Sequence, residues 1–134
     1  NTWCNQSTFD IAETTGFTTK ALYGNESRDN VTANEAAKNL ANAAKAGTIK
    51  QITGKDAQQM AGKGYTVVVA LERPGHGHLS TVRPTSNEYN SDVGPKISNI
   101  GATNMITSTA NGFGTSNYSS GKVNFYYDPR QFNE

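Results

Sequence analysis

One cysteine, Cys4, stands near the start of this chain of 134 residues. The segment from Thr2 to Thr15 predicts a helix. Thr2 is a fitting N-cap, Phe9, Ile11 and Ala12 form an apolar face, and Gly16 is a fitting stop. Cys4 then falls in the first helical turn, where backbone N–H groups lack partners. Their partial positive charge favours thiolate over thiol. The same N–H groups can donate to an oxyanion when a carbonyl is attacked, so nucleophile and oxyanion hole are expected at one position. The plainer reading is a small buried apolar side chain, the commoner fate of a lone cysteine.

A nucleophilic cysteine needs a base that also protonates a leaving amine, and imidazole suits both steps near neutral pH. Two histidines are present, His76 and His78. His78 opens an alternating segment directly after the turn Arg73-Pro74-Gly75-His76-Gly77. In a strand His78, Ser80 and Val82 share a face, and small Ser80 leaves room for a helix terminus to pack close. His76 sits between two glycines, in a turn that would fix a base poorly, so His78 is favoured. The plain reading of both is a solvated turn histidine; as a metal pair they are a weak signal. A third group must orient the imidazole. Asn99, within Ile97-Ser98-Asn99-Ile100-Gly101, shares a face with Ile97 and Gly101, and an Asn on a core strand must be hydrogen-bonded. Asn104 is the alternative, and an ordinary edge-strand Asn is the plain reading. Asp10 points about 120° away from Cys4 on the helix and reads as a solvated acid. Trp3 shields the thiolate or anchors the helix. Tyr65, Tyr89 and Tyr118 are candidates for a groove. The patterns GxSxG, HExxH and GxxxxGK[ST] do not occur.

The elements that must position these residues change character along the chain. A second helix is predicted over Ala33–Ala46, opened by the capping-box pattern Thr32-Ala33-Asn34-Glu35 and closed by Gly47. A short third helix covers Gly54–Lys63, with Thr53 as cap and Asp56 three residues later. After Gly64 the apolar period shifts towards strands. Tyr65–Glu72 and His78–Arg83 form a hairpin, Lys96–Gly101 a short strand, and Lys122–Asp128 a last strand. Residues 16–31, 84–95 and 102–121 read as irregular. Helices followed by an antiparallel sheet make the class α+β.

Composition narrows the function. The length suits one domain. Hydrophobic residues are 34% and charged residues 17%, with a net charge of +1, so the strongly basic footprint of a nucleic-acid binder is absent. The longest apolar run, Val67-Val68-Val69-Ala70-Leu71, suits a buried strand and falls far short of a membrane span. One cysteine permits no intramolecular disulfide and no CxxC pair. The Asn/Thr/Gly-rich, low-charge surface leans towards export. The chain starts at Asn1 without an initiator Met or signal peptide, as a processed or trimmed piece would.

The order of Cys4 at a helix start, His78 on a strand and a polar residue on the next strand resembles the papain-like cell-wall hydrolases of bacteria and phages. These are the NlpC-like endopeptidases and the CHAP amidases. Thr2-Trp3-Cys4-Asn5-Gln6 looks like a nucleophile helix of that kind. Gly77-His78-Leu79-Ser80-Thr81-Val82 is similar to the family's Gly-His-(apolar)-Ala-x-Val strand, and Ile97 to Ala102 resembles the strand bearing the third residue. NlpC-like enzymes usually carry Asp before the cysteine and Ser-Gly after it, where this chain has Trp3 and Asn5-Gln6. The resemblance implies a single papain-like α+β domain over residues 1–134, with the sheet packed on the N-terminal helix. It implies a secreted, cell-envelope or phage-associated cysteine hydrolase acting on an amide bond in peptidoglycan stem peptides through Cys4, His78 and Asn99. No cofactor, nucleic acid or membrane insertion is implied, and an inhibitor or immunity protein stays open. Two alternatives remain: an amidase or acyltransferase of the same fold on another substrate, and a non-catalytic secreted domain that binds glycan or peptide.

Overall fold

The structure, a computed structural model, describes residues 3–100 and 104–132; of residues 3, 4, 99, 100, 104 and 105 it describes the backbone alone. The chain runs α1 (Trp3–Thr15), α2 (Lys20–Tyr23), a 3-10 turn (Arg28–Asn30), α3 (Ala33–Lys45), β1 (Lys50–Ile52) and α4 (Gly54–Gly62). It continues β2 (Val67–Leu71), β3 (His78–Val82), β4 (Lys96–Ile100), β5 (Asn104–Ser108), α5 (Thr109–Phe113), α6 (Thr115–Ser119) and β6 (Val123–Tyr127). The strands form one antiparallel sheet in the order β1-β6-β2-β3-β4-β5. The class is therefore α+β. Among the described residues no helix is long and apolar enough to cross a membrane.

Helices cover both faces of the sheet, which explains the unbroken apolar run of β2. Alternate residues of a strand face opposite ways, and a strand covered twice must be apolar at every position. Val68 and Ala70, with Leu79 and Tyr126, pack on Phe9 and Ala12 of α1, Leu22 of α2 and Leu40 of α3. Val67, Val69 and Leu71, with Val82, Ile97 and Phe125, pack on Ala57 and Ala61 of α4 and Phe113 of α5. All five residues of β2 are buried.

The helices that were legible locally form where local signals put them. The Thr32 hydroxyl oxygen accepts from the Glu35 amide at 3.1 Å, and the Thr32 amide donates to the Glu35 carboxylate at 2.9 Å, closing the capping box of α3. These bonds hold the Glu35 carboxyl below its ordinary value. Thr53 caps α4 through the Asp56 amide at 3.1 Å. The expected Thr2 cap of α1 lies outside the described residues.

The stretch read as irregular, 102–121, holds β5, α5 and α6 in its described part. Ser108 caps α5 by accepting from the Asn111 amide at 3.1 Å. Gly112 allows that short helix to lie against β4, since a Cβ there would be 2.6 Å from Ile97 Cδ1. Phe113 is buried as a result. A Gly/Ser/Thr/Asn-rich sequence hides these elements because partners, not propensity, stabilise them.

Candidate functional site

α1 lies across β3 and β4, and Cys4 is its second residue. The Cys4 side chain is outside the described residues; that of Asn5 is within them. Asn5 is 3% exposed and lines a cavity with Gly77, the residue before His78. Asn5, Thr8, Phe9 and Ala12 form the buried stripe of α1, at the i, i+3, i+4, i+7 spacing of a helix face.

The first turns of α1 are held from the opposite flank by Arg28. Its guanidinium donates to the Gln6 side-chain oxygen at 2.7 and 3.1 Å and to the Gln6 carbonyl at 3.1 Å. It also pairs with Asp10 at 2.6 Å and Glu13 at 2.8 Å, and lies 5.7 Å from the centre of the Phe9 ring. Burial disfavours the charged guanidinium, but the hydrogen bond and charges of Asp10 and Glu13 outweigh it and hold Arg28 above its ordinary value. Asp10 is thus exposed, as expected for a helix acid, yet engaged as an ion-pair partner.

His78 is the first residue of β3 and pairs in register with Leu71. It shares a face with Ser80 and Val82, as the alternation predicts. That face is the one covered by α4 and α5, since Val82 and Leu71 pack there. The imidazole packs edge-on against Phe113, with ring centres 4.6 Å apart, and its Nε2 atom is buried. α1 packs on the other face, where Leu79 meets Phe9. α1 and the His78 side chain therefore lie on opposite faces of the sheet, while Asn5 and Gly77, the residues beside Cys4 and His78, line one cavity.

The close approach of a helix terminus to this strand is made at Gly77, not at Ser80. A Cβ on Gly77 would lie 2.8 Å from the Asn34 amide nitrogen and 3.0 Å from the Ala33 carbonyl carbon, in the first turn of α3. Ser80 instead donates its hydroxyl to the Ser98 carbonyl of β4. Gly77→Ala is expected to destabilise the fold by about 1–3 kcal/mol, the usual cost of overpacking. Urea denaturation measures it, and a midpoint equal to that of the native chain would refute the contact.

β4 is the strand next to β3, with Thr81 opposite Ser98 and Val82 opposite Ile97. It is an interior strand, since β5 covers its other side. Asn99 is therefore not on a sheet edge; it lies opposite Met105, and Ile97, on its face, is fully buried. The side chains of Asn99 and Asn104 are outside the described residues. Asn104 opens β5, the edge strand.

His76 is exposed in the turn. Among the described residues no three His, Cys, Asp or Glu side chains gather where they could hold a metal ion. Tyr65 packs against Tyr127 and Phe132 at ring-centre distances of 5.3 and 5.1 Å. Tyr118 donates its hydroxyl to the Ser91 carbonyl at 2.6 Å; burial, then the hydrogen bond with Tyr89, push it up to about 12. Tyr65 thus packs with Tyr127 and Phe132, while Tyr118 interacts with Tyr89 and Ser91. The Trp3 side chain is outside the described residues.

No protein-family model matches the chain, and no curated protein matches it.

Proposed function

We propose that this chain is a cysteine hydrolase of papain-like fold that cleaves an amide bond in bacterial peptidoglycan stem peptides. The reading is supported by one convergence: Asn5, next to Cys4, and Gly77, next to His78, line the same cavity at the end of the sheet. Cys4 is the second residue of α1 and His78 the first residue of its strand, and the reading has the two groups meet around the strand end. The Cys4 thiolate attacks the amide carbonyl carbon, and first-turn N–H groups of α1 hold the oxyanion. The His78 imidazolium gives its proton to the departing amine as the C–N bond breaks. A water then attacks the thioester while His78 takes its proton, and the C–S bond breaks to release the acid and restore the Cys4 thiolate and the His78 imidazolium. Asn99 holds the ring from the neighbouring strand. Digestion of purified sacculi, with mass spectrometry of the soluble fragments, tests the reading. New amine and carboxylate ends at one peptide bond are expected; intact sacculi would refute it.

Asn99→Ala is expected to lower kcat, yet less than loss of Cys4 or His78, because an orienting group makes and breaks no bonds. KM is expected to stay within about threefold, since substrate binding does not need the imidazole aimed. A kcat equal to that of the native chain would move the orienting role to Asn104 or a backbone carbonyl.

A further inference from the structure

Gly77, the residue before His78, does not take a positive φ, so it is glycine for room and not for conformation. A Cβ there would lie 2.5 Å from Asn34 Oδ1. Asn34, in the first turn of α3, takes that space. Its side-chain amide is matched to the main chain of Arg73. It donates to the Arg73 carbonyl at 2.8 Å and accepts from the Arg73 amide at 3.1 Å. One side chain thus engages both main-chain groups of a residue just beyond β2, as a neighbouring strand would. Arg73 Nε donates to the His76 carbonyl at 2.6 Å, which braces the turn that leads into β3.

α3 shares a layer with α1, since its Ala36 and Leu40 lie in one core with Phe9 and Ala12. Arg28, just before the α3 cap, clasps Gln6, Asp10 and Glu13 of α1. Asn34 is therefore a polar junction between the helix layer that carries Cys4 and the turn that leads to His78. Leu79 packs on that layer, but the His78 ring packs on Phe113, on the other face. A second tie of α3 to the hairpin, Lys38 with Glu72 at 3.5 Å, is an exposed ion pair and weak.

We infer that Asn34 is a positioning residue for the base: it sets where His78 stands relative to the first turn of α1. The inference rests on the hydrolase reading above. Two hydrogen bonds to one residue fix direction as well as distance. A misplacement of about 1 Å between reacting groups can cost a factor of about 100.

Iodoacetamide reads the Cys4 thiolate without any turnover, because an imidazolium beside the sulfur preserves the thiolate at pH 6. In the native chain the alkylation rate should fall only about twofold from pH 8 to pH 6. In His78→Gln, which has no imidazolium, it should fall about 15-fold or more. Asn34→Ala removes both bonds, and Asn34→Ser is too short to make both. Asn34 is half-buried, so water can take over the Arg73 groups and both variants should fold. In each the rate should fall about tenfold or more, close to His78→Gln. Thr53→Ala, which removes the α4 cap on the other face, lowers stability without touching Asn34 and should keep the native profile. Circular dichroism and urea midpoints verify the fold of each protein. A native profile in a folded Asn34 variant, while His78→Gln differs, overturns the inference and leaves the hydrolase reading standing. A fall in Thr53→Ala as large as in Asn34→Ala also overturns it, since lost stability would then explain the change. If the native chain and His78→Gln fall alike, Cys4 and His78 are not a pair, and the hydrolase reading fails as well.

Discussion

Cys4→Ala protein is expected to release no peptide fragment from sacculi, with turnover down by roughly 10⁶-fold, the scale lost when a covalent nucleophile is removed. The effect is total because no neighbouring group can replace the sulfur: Cys4 is the chain's one cysteine. Serine in its place keeps the size but not the acidity, so Cys4→Ser should be equally inert. The backbone of α1 does not depend on the thiol. Its hold on the domain comes from Phe9 and Ala12 in the core and from the Arg28 clasp on Gln6, Asp10 and Glu13. Circular dichroism of both variants should therefore match the native chain. Iodoacetamide offers an independent reading: a thiolate in the first helical turn alkylates fast at neutral pH, a buried thiol slowly. Residual hydrolysis at the native rate in a folded variant would end the nucleophile assignment.

His78→Ala should be nearly as damaging, by roughly 10⁴–10⁶-fold in kcat, because base and acid are lost together. The ring also packs on Phe113 at 4.6 Å, so alanine removes an aromatic contact worth about 0.5–1.5 kcal/mol. His78→Gln separates the two effects. It fills more of the space and keeps a polar tip but cannot carry a proton between sulfur and nitrogen, so it should be better folded and still inactive. His76→Ala should be mild, with kcat within a few-fold of the native chain. If His76→Ala is the inactive variant and His78→Ala turns over normally, the base lies in the turn and not on the strand. A folded His78→Gln with native kcat would remove His78 from the reaction altogether.

The two histidines differ in a way that the sequence already displays. A residue between glycines in a turn and a residue opening an alternating segment have different prospects of being held still, and the structure has His76 exposed and His78 packed on a ring. The same holds for α3 and α4, whose N-terminal signals act across three residues: Thr32 with Glu35, and Thr53 with Asp56. Such pairs form wherever the chain goes, so they are legible without a fold. The hairpin of β2 and β3 is nearly as local, since one turn joins its strands.

What the sequence left open depends on partners far along the chain. Alternation puts His78, Ser80 and Val82 on one face, but it does not say which helices cover that face. That is decided by the packing of α4 and α5 against Val82, Ile97 and Phe125. Strand β1 has three residues, two of them exposed, and is a strand because β6 lies beside it. The clasp of Arg28 on Gln6 spans 22 residues, and no spacing rule links them. The Gly77 contact with Asn34 of α3 spans 43 residues, where the spacing suggested room at Ser80. Local hydrogen bonds and side-chain period are written in neighbouring residues and can be read there. Face, strand order and close approach depend on contacts between distant segments, which form only when the whole chain closes its two cores.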